Sequence, residues 1–269
     1  MDVINDMFID IHLHSTFSPD GTSTMEEYCL KAINKGITIL CFTEHVDYTV
    51  AEKNLDQTKD NRKQNFNIID YFKEINRLKL KYPSLEILSG IEFSEPHLFP
   101  EEFSVYSSLP FDYILAAIHH CNNSVFPGAK NLPENQAIFE YYDLMLQSIS
   151  SYSFQAMAHL DFPRRYFDSW EIPEKTINSI LELMIKKEIL LEINTSSISN
   201  DCTEPLPSYN IIKKYIELGG KKVVLGSDAH NCSFLGNGYD CIRKNLPLEL
   251  EIGYFKNREF VGINSNTFE

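Results

Sequence analysis

Seven short apolar runs, rich in β-branched and aromatic residues, recur along the chain and are separated by longer segments of helical periodicity. The runs are Met7–Ile11, Ile37–Phe42, Leu85–Ile91, Tyr113–Ile118, Phe154–Ala158, Ile189–Ile193 and Lys222–Leu225. Apolar spacing of i, i+3, i+4, as in Ile180, Leu183 and Met184, predicts helices over Met25–Lys35, Ile68–Lys81, Glu134–Ile149, Glu174–Lys187 and Pro207–Leu218. Ser23-Thr24 with Glu26 and Glu27 reads as the start of the first helix, and Gly36 as its end. Gly219-Gly220 closes the fifth in the same way. Continuous apolar runs suit strands buried on both faces, and repeated strand–helix units predict a parallel sheet. Seven such units in 269 residues favour a closed or nearly closed β/α barrel over an open sheet. No repeat or low-complexity linker divides the chain, so one domain over residues 1–269 is expected. Asp47–Asn67, long, polar and aperiodic, reads as a loop insertion near the strand ends and a candidate lid.

Each run is followed almost at once by side chains able to bind metal. Asp10-Ile11-His12-Leu13-His14 follows the first, with Asp20 beyond it. Period-2 alternation puts His12 and His14 on one face of an extended segment. Thr43-Glu44-His45 closes the second run, Gly90-Ile91-Glu92 the third and His119-His120 the fourth. His159 and Asp161 follow the fifth, and Gly226-Ser227-Asp228-Ala229-His230 the last. In a β/α barrel the C-terminal strand ends converge on one mouth, where active sites lie. Imidazole with carboxylate and no thiolate suits zinc, iron or manganese, and two or three such ions bridged by a carboxylate make a hydrolytic centre. His97, beside Pro96 in a loop-like stretch, reads as a locally satisfied residue outside this pattern.

Composition excludes several classes. Lys+Arg 24 against Asp+Glu 38 gives a formal charge of -14, which argues against coating nucleic acid or an anionic membrane. No stretch approaches the roughly 18–20 continuous apolar residues of a membrane helix. Met1–Met7 has no basic region leading into an apolar core, so no secretory signal is expected. The six cysteines form no Cys-x-x-Cys pair and no disulfide-like spacing, as expected of reduced cytoplasmic thiols.

The ordered set Asp10-x-His12-x-His14, Thr43-Glu44-His45, Gly90-Ile91-Glu92, His119, His159 and Gly226-Ser227-Asp228-Ala229-His230 resembles the motifs of the polymerase-and-histidinol-phosphatase (PHP) superfamily. Leu191-Glu192-Ile193-Asn194-Thr195-Ser196, Glu204-Pro205-Leu206-Pro207-Ser208, and His159-Leu160-Asp161 followed by Arg164-Arg165-Tyr166 resemble its histidinol-phosphate phosphatase branch. The resemblance covers about Phe8 to Leu246. It implies a distorted (β/α)7 barrel with the metal site at the C-terminal strand ends, holding three divalent transition-metal ions (Zn, Fe or Mn). His12, His14, Glu92 and Asp228 would hold the first ion, Glu92 would bridge to a second held by His119 and His159, and Asp20, His45 and His230 would take the third. Some relatives carry histidine where Asp20 stands; aspartate still offers an oxygen ligand. Three divalent cations would take the formal charge from -14 to about -8.

The implied reaction is hydrolysis of histidinol phosphate in histidine biosynthesis, by attack of a metal-bridging hydroxide on phosphorus. Arg164 and Arg165 are candidate phosphate contacts, His120 a substrate contact or a support behind the ligands, and Asp161 the candidate proton donor to the leaving oxygen or an orienter of its neighbours. Glu44, Asp47 and Glu95 would offer an acidic mouth to the cationic end of the substrate. The expected partner is thus a small phosphorylated metabolite, with no nucleic acid and no membrane; self-association is left open. The alternative is another PHP-type phosphoesterase acting on nucleotide or oligonucleotide phosphodiesters, against which the acidic balance and the branch segments weigh. An inactive metal-binding regulatory domain would be expected to lose ligand positions, and all of them are filled here. A deaminase on a related barrel would show a different ligand order and no use for paired arginines.

Overall fold

The computed structural model describes residues 9–48, 65–121, 124–125, 132–167, 169–198 and 203–263. Its strands are β1 (Ile9–Leu13), β2 (Ile39–Val46), β3 (Glu86–Ser94), β4 (Tyr113–Ala117), β5 (His120–Cys121), β6 (Ser124–Val125), β7 (Ala156–Met157), β8 (Leu190–Asn194), β9 (Lys222–Gly226), β10 (Glu251–Lys256) and β11 (Glu259–Gly262). Its helices are α1 (Met25–Lys35), α2 (Ile68–Lys81), α3 (Pro100–Ser108), α4 (Glu134–Ser151), α5 (Glu174–Lys186), α6 (Tyr209–Glu217) and α7 (Tyr239–Asn245).

One sheet runs β1-β2-β3-β4-β7-β8-β9, every neighbouring pair parallel. Beyond β9 the chain returns to β1: Asp228 N–H donates to His12 O at 2.9 Å and His14 N–H to Ala229 O at 3.0 Å. Asp10 fastens this seam, its carboxylate accepting from Ser227 N and Gly236 N, each at 2.9 Å. The seven parallel strands therefore close into a (β/α)7 barrel. The distortion lies at the other end of the seam, where Lys222–Val224 of β9 pairs with β10 instead of β1 and β11 folds back antiparallel on β10. Phe255 of β10 enters the barrel floor and stacks on Tyr113, ring centroids 5.5 Å apart.

Alternation sorts the strand residues. Ile9, Ile11, Cys41, Leu88, Leu115, Ala156, Leu190 and Val224 fill the barrel interior. Phe42, Ile91, Phe93, Ile114, Met157, Ile193 and Leu225 face outward into the layer covered by the helices. Tyr71 of α2 pins that layer to the sheet, its hydroxyl donating to Phe42 O and accepting from Gly90 N. The expected capping of α1 is present: Thr24 and Glu27 form a reciprocal capping box, and Gly36 ends the helix at φ 73.

Two expectations shift. The metal-competent residues do not trail the first three strands but belong to their last turns of pleat, since His12, His45 and Glu92 lie within β1, β2 and β3. The apolar run stops sooner than the hydrogen-bonded ladder because the polar residues face the mouth while their neighbours remain in the core. The α3 and α7 helices and the β10–β11 hairpin, none expected from the pattern, complete the fold. Of the expected insertion Asp47–Asn67, residues 49–64 lie outside the described residues. Among the described residues no helix is long and apolar enough to cross a membrane. Cys29, Cys41, Cys232 and Cys241 take part in no disulfide among the described residues.

Candidate metal centre

At the mouth the register of β1 slips: Asp10 stands opposite Leu40 and Leu13 opposite Phe42, so β1 carries one extra residue. This bulge turns His12 inward directly after inward-facing Ile11, while Leu13 packs outward and His14 returns to the mouth. Gly226 of β9 makes room for it; a Cβ there would lie 2.2 Å from His12 Cβ. Just past β7, continued alternation would send His159 outward after inward-facing Ala158, and a φ of 24 accompanies its turn into the mouth. Asp228, with φ 55, is likewise left-handed. Non-glycine residues in that region cost about 1–3 kcal/mol each and cluster at functional sites.

Six imidazoles meet in three Nε2-to-Nε2 pairs. His12 and His14 are 3.0 Å apart, His45 and His230 3.3 Å, His119 and His159 3.4 Å. Each pair has its own carboxylate. Asp228 Oδ1 lies 3.6 and 3.4 Å from the first, Asp20 Oδ2 3.6 and 3.3 Å from the second, Glu92 Oε1 3.4 and 2.9 Å from the third. Glu92 also spans to the first pair, with Oε2 3.5 Å from both His12 and His14. His14 stacks between His45 and His230, centroids 4.0 and 4.2 Å away. All nine residues named from the motifs are thus gathered at one mouth, from fully buried His12 and His14 to Asp20 at the rim, 58% exposed.

The atoms behind the imidazoles decide which nitrogen faces the cluster. Glu192 Oε1 is 2.5 Å from His12 Nδ1, and an ionised carboxylate only accepts, so Nδ1 carries the proton. Ser18 Oγ donates to Glu44 Oε2 at 2.6 Å and therefore accepts from His14 Nδ1 at 3.2 Å. His230 Nδ1 donates to Asp228 O at 3.0 Å, and Ser94 Oγ lies 2.8 Å from His119 Nδ1. Nε2 lone pairs are left pointing at one another, an arrangement that needs positive charge between them. Two nitrogens bound to one tetrahedral zinc at roughly 2.0–2.1 Å stand about 3.3–3.4 Å apart, the spacing of the His45–His230 and His119–His159 pairs, with His12–His14 closer at 3.0 Å. Burial, with His45 and His230 adjacent, holds His14 well below the ordinary imidazole range. Burial alone would push the Glu92 carboxyl up, but His12 and His119 outweigh it and hold it well below the usual range. The donor set, six imidazole nitrogens in close pairs with a carboxylate beside each pair, fits divalent transition metal.

The substrate-contact candidates separate. Arg164 is held by Asp161 Oδ2 at 3.0 Å, by Pro205 O and by Glu204, which ties it into the wall. Arg165 is exposed, its guanidinium 4.5 Å from the Phe162 ring, which packs on His159 and His119. Asp161 is buried and accepts from Ser208 N as well; Oδ1 has no partner, and burial pushes its carboxyl up to about 6. His120 does not join the nine. Its Nδ1 lies 2.9 Å from Glu95 Oε2, in a separate group with Asp47. Glu44 is not part of an acidic mouth: alternation along β2 turns it away from His45, and it is buried accepting from Ser15 N, Ser15 Oγ and Ser18 Oγ. Glu95, also buried, accepts from His119 N and His120 N, so of the three acids only Asp47 reaches the surface. His97 lies outside the cluster, with Nδ1 2.5 Å from Ser148 Oγ of α4 and a buried Nε2 that has no hydrogen-bond partner, so the expected local satisfaction covers one nitrogen only.

The PHP domain family matches residues 10–196. The chain belongs to the PHP family. It is 30% identical to a Thermotoga maritima protein named "Probable histidinol-phosphatase", over 88% of this chain and 91% of that one. A Lactococcus lactis protein named histidinol-phosphatase is 28% identical over 82% of this chain and 84% of its own. The crystal structure of histidinol phosphate phosphatase from Lactococcus lactis, complexed with zinc, L-histidinol and phosphate, superposes with a TM-score of 0.78. It is 25% identical, covering 94% of this chain and 98% of that one.

Two groups escaped the sequence reading. Glu192 and the Glu44–Ser18 relay touch the backs of His12 and His14, and an acid on an inward position of a buried strand was the available signal for Glu192.

Proposed function

We propose that the protein is a phosphoric monoester hydrolase that cleaves histidinol phosphate to histidinol and phosphate. The observation that carries this is the triple pairing of imidazoles about Glu92, in a member of the PHP family whose relatives are named for that activity. Three divalent transition-metal ions are assigned to His12, His14, Asp228 and Glu92; to Glu92, His119 and His159; and to Asp20, His45 and His230. Bound there, such ions supply Lewis acidity and a nucleophile at neutral pH.

The chain's own residues bind and orient. Arg165, at the rim beside Phe162, meets the phosphate. Arg164 holds the Glu204–Pro205 segment in place, and Asp161 holds Arg164 through Oδ2. A carboxyl raised by burial to about 6 holds its proton far closer to neutrality than an ordinary aspartate, which suits a donor to the leaving oxygen, and Asp161 Oδ1 is assigned that step. Asp47, backed by Glu95 and His120, faces the ammonium and imidazole end of the substrate.

Steady-state kinetics test the substrate. Catalytic efficiency on histidinol phosphate should exceed that on simple phosphomonoesters by about 100-fold, because polar groups built for the cationic end go unpaired with the analogue. Equal efficiencies would sink the substrate assignment, and release of nucleotides from oligonucleotides would favour the phosphodiesterase alternative.

A further inference from the structure

Leu191-Glu192-Ile193-Asn194 is one of the segments that resemble the branch, and beyond its contact with the back of His12 the site gives Glu192 further partners. On β8 it faces inward, 1% exposed, between His12 on one side and the turn carrying His159 on the other. Oε1 accepts from His12 Nδ1 at 2.5 Å. Oε2 accepts from the His159 backbone N–H at 2.8 Å and from Asn194 Nδ2 at 3.2 Å, and the same Asn194 nitrogen reaches Asp228 Oδ2 at 3.3 Å. The absence of a side chain at Gly226 is part of the device, since a Cβ there would stand 2.9 Å from Glu192 Oε1. One buried carboxylate therefore touches, directly or through Asn194, three of the nine clustered residues.

We infer that Glu192 is the positioning residue of the metal centre: it fixes the His12 tautomer, with Nε2 facing the cluster, and ties His12 to His159 so that the two groups sharing Glu92 keep their spacing. This rests on the metal assignment above. His12 and His159 belong to different ion groups, and they approach the mouth on strands that are not neighbours in the sheet. Their mutual position is set by side chains and not by a shared ladder: Glu92 reaches both from the cluster side, through Nε2 of each, and Glu192 reaches both from behind, through His12 Nδ1 and the His159 backbone N–H. Partners of this kind behind a metal-binding imidazole raise its basicity and hold its ring.

Glu192→Gln in the full chain is the test. Glutamine keeps the volume but offers one oxygen to two donors, so either the His12 or the His159 N–H is left facing an amide NH₂. Zinc affinity, read by competition with a chromophoric chelator, should fall about 10–100-fold, and kcat on histidinol phosphate by a similar factor with KM changing less than about threefold. The metal-free variant should keep the wild-type far-UV circular dichroism, which separates positioning from folding. Wild-type zinc affinity in a folded Glu192→Gln protein overturns the inference. Should the variant not fold, the zinc-loaded wild type decides: a slowly exchanging, downfield imidazole Nδ1–H resonance is expected in a ¹⁵N-edited spectrum, and its absence overturns the inference. A wild type that binds zinc yet leaves histidinol phosphate intact would defeat the substrate reading alone, because the affinity measurement does not involve the substrate.

Discussion

Glu92 is nearly fully buried with both oxygens aimed at imidazoles, which is stable only where positive charge gathers. Replacing it by glutamine keeps the shape and removes the charge that lies against both the His12–His14 and the His119–His159 pair. Glu92→Gln should lower bound zinc per chain and reduce kcat by at least about 100-fold, the upper end of what losing an outer partner costs; metal analysis and kinetics on one preparation check both. The two arginines should part company in the same assays. Arg165→Ala should raise KM with little change in folding. Arg164→Ala leaves buried Asp161 without its cation and should lower stability by about 2 kcal/mol in denaturant titration, below the usual cost of breaking a buried pair because Arg164 is partly exposed.

Elements differ in how far their residues announce them. The α1 and α2 helices follow directly from periodicity and caps, and the sheet from its apolar runs. The bulge in β1 does not, because alternation predicts His12 and His14 on one face whether or not Ile11 joins them there. Ligand candidates were legible because imidazoles and acids at strand ends have few uses; Glu44 was misplaced because its place next to His45 in sequence puts it, by strand alternation, on the opposite face. The hairpin β10–β11 lacked any chemical signature. Between elements, Glu26 of α1 ties to Arg77, Lys81 and Tyr82 around α2, and Lys81 and Arg77 lower its carboxyl to about 2. A depressed carboxyl contributes stability above its unfolded value and loses it as pH falls through the folded one. The stability difference between wild type and Glu26→Gln should therefore shrink as pH drops from about 4.5 to about 2, as read by thermal melts across that range; a constant difference would contradict the tie.

At the scale of the molecule, the barrel is closed at the mouth by the β1–β9 seam and stoppered below by Phe255. Truncating that stopper leaves a cavity under the centre, and Phe255→Ala should cost about 3–5 kcal/mol of unfolding free energy. The seam brings Asp228 and His230 to His12 and His14 across more than two hundred residues, so the centre exists only in the closed barrel. Metal content titrated against turnover tests this account most directly. Chelated protein reconstituted with zinc or manganese should release phosphate from histidinol phosphate in proportion to metal, reaching a plateau near three equivalents per chain. Fewer than one equivalent bound, or full turnover by the metal-free chain, would contradict it.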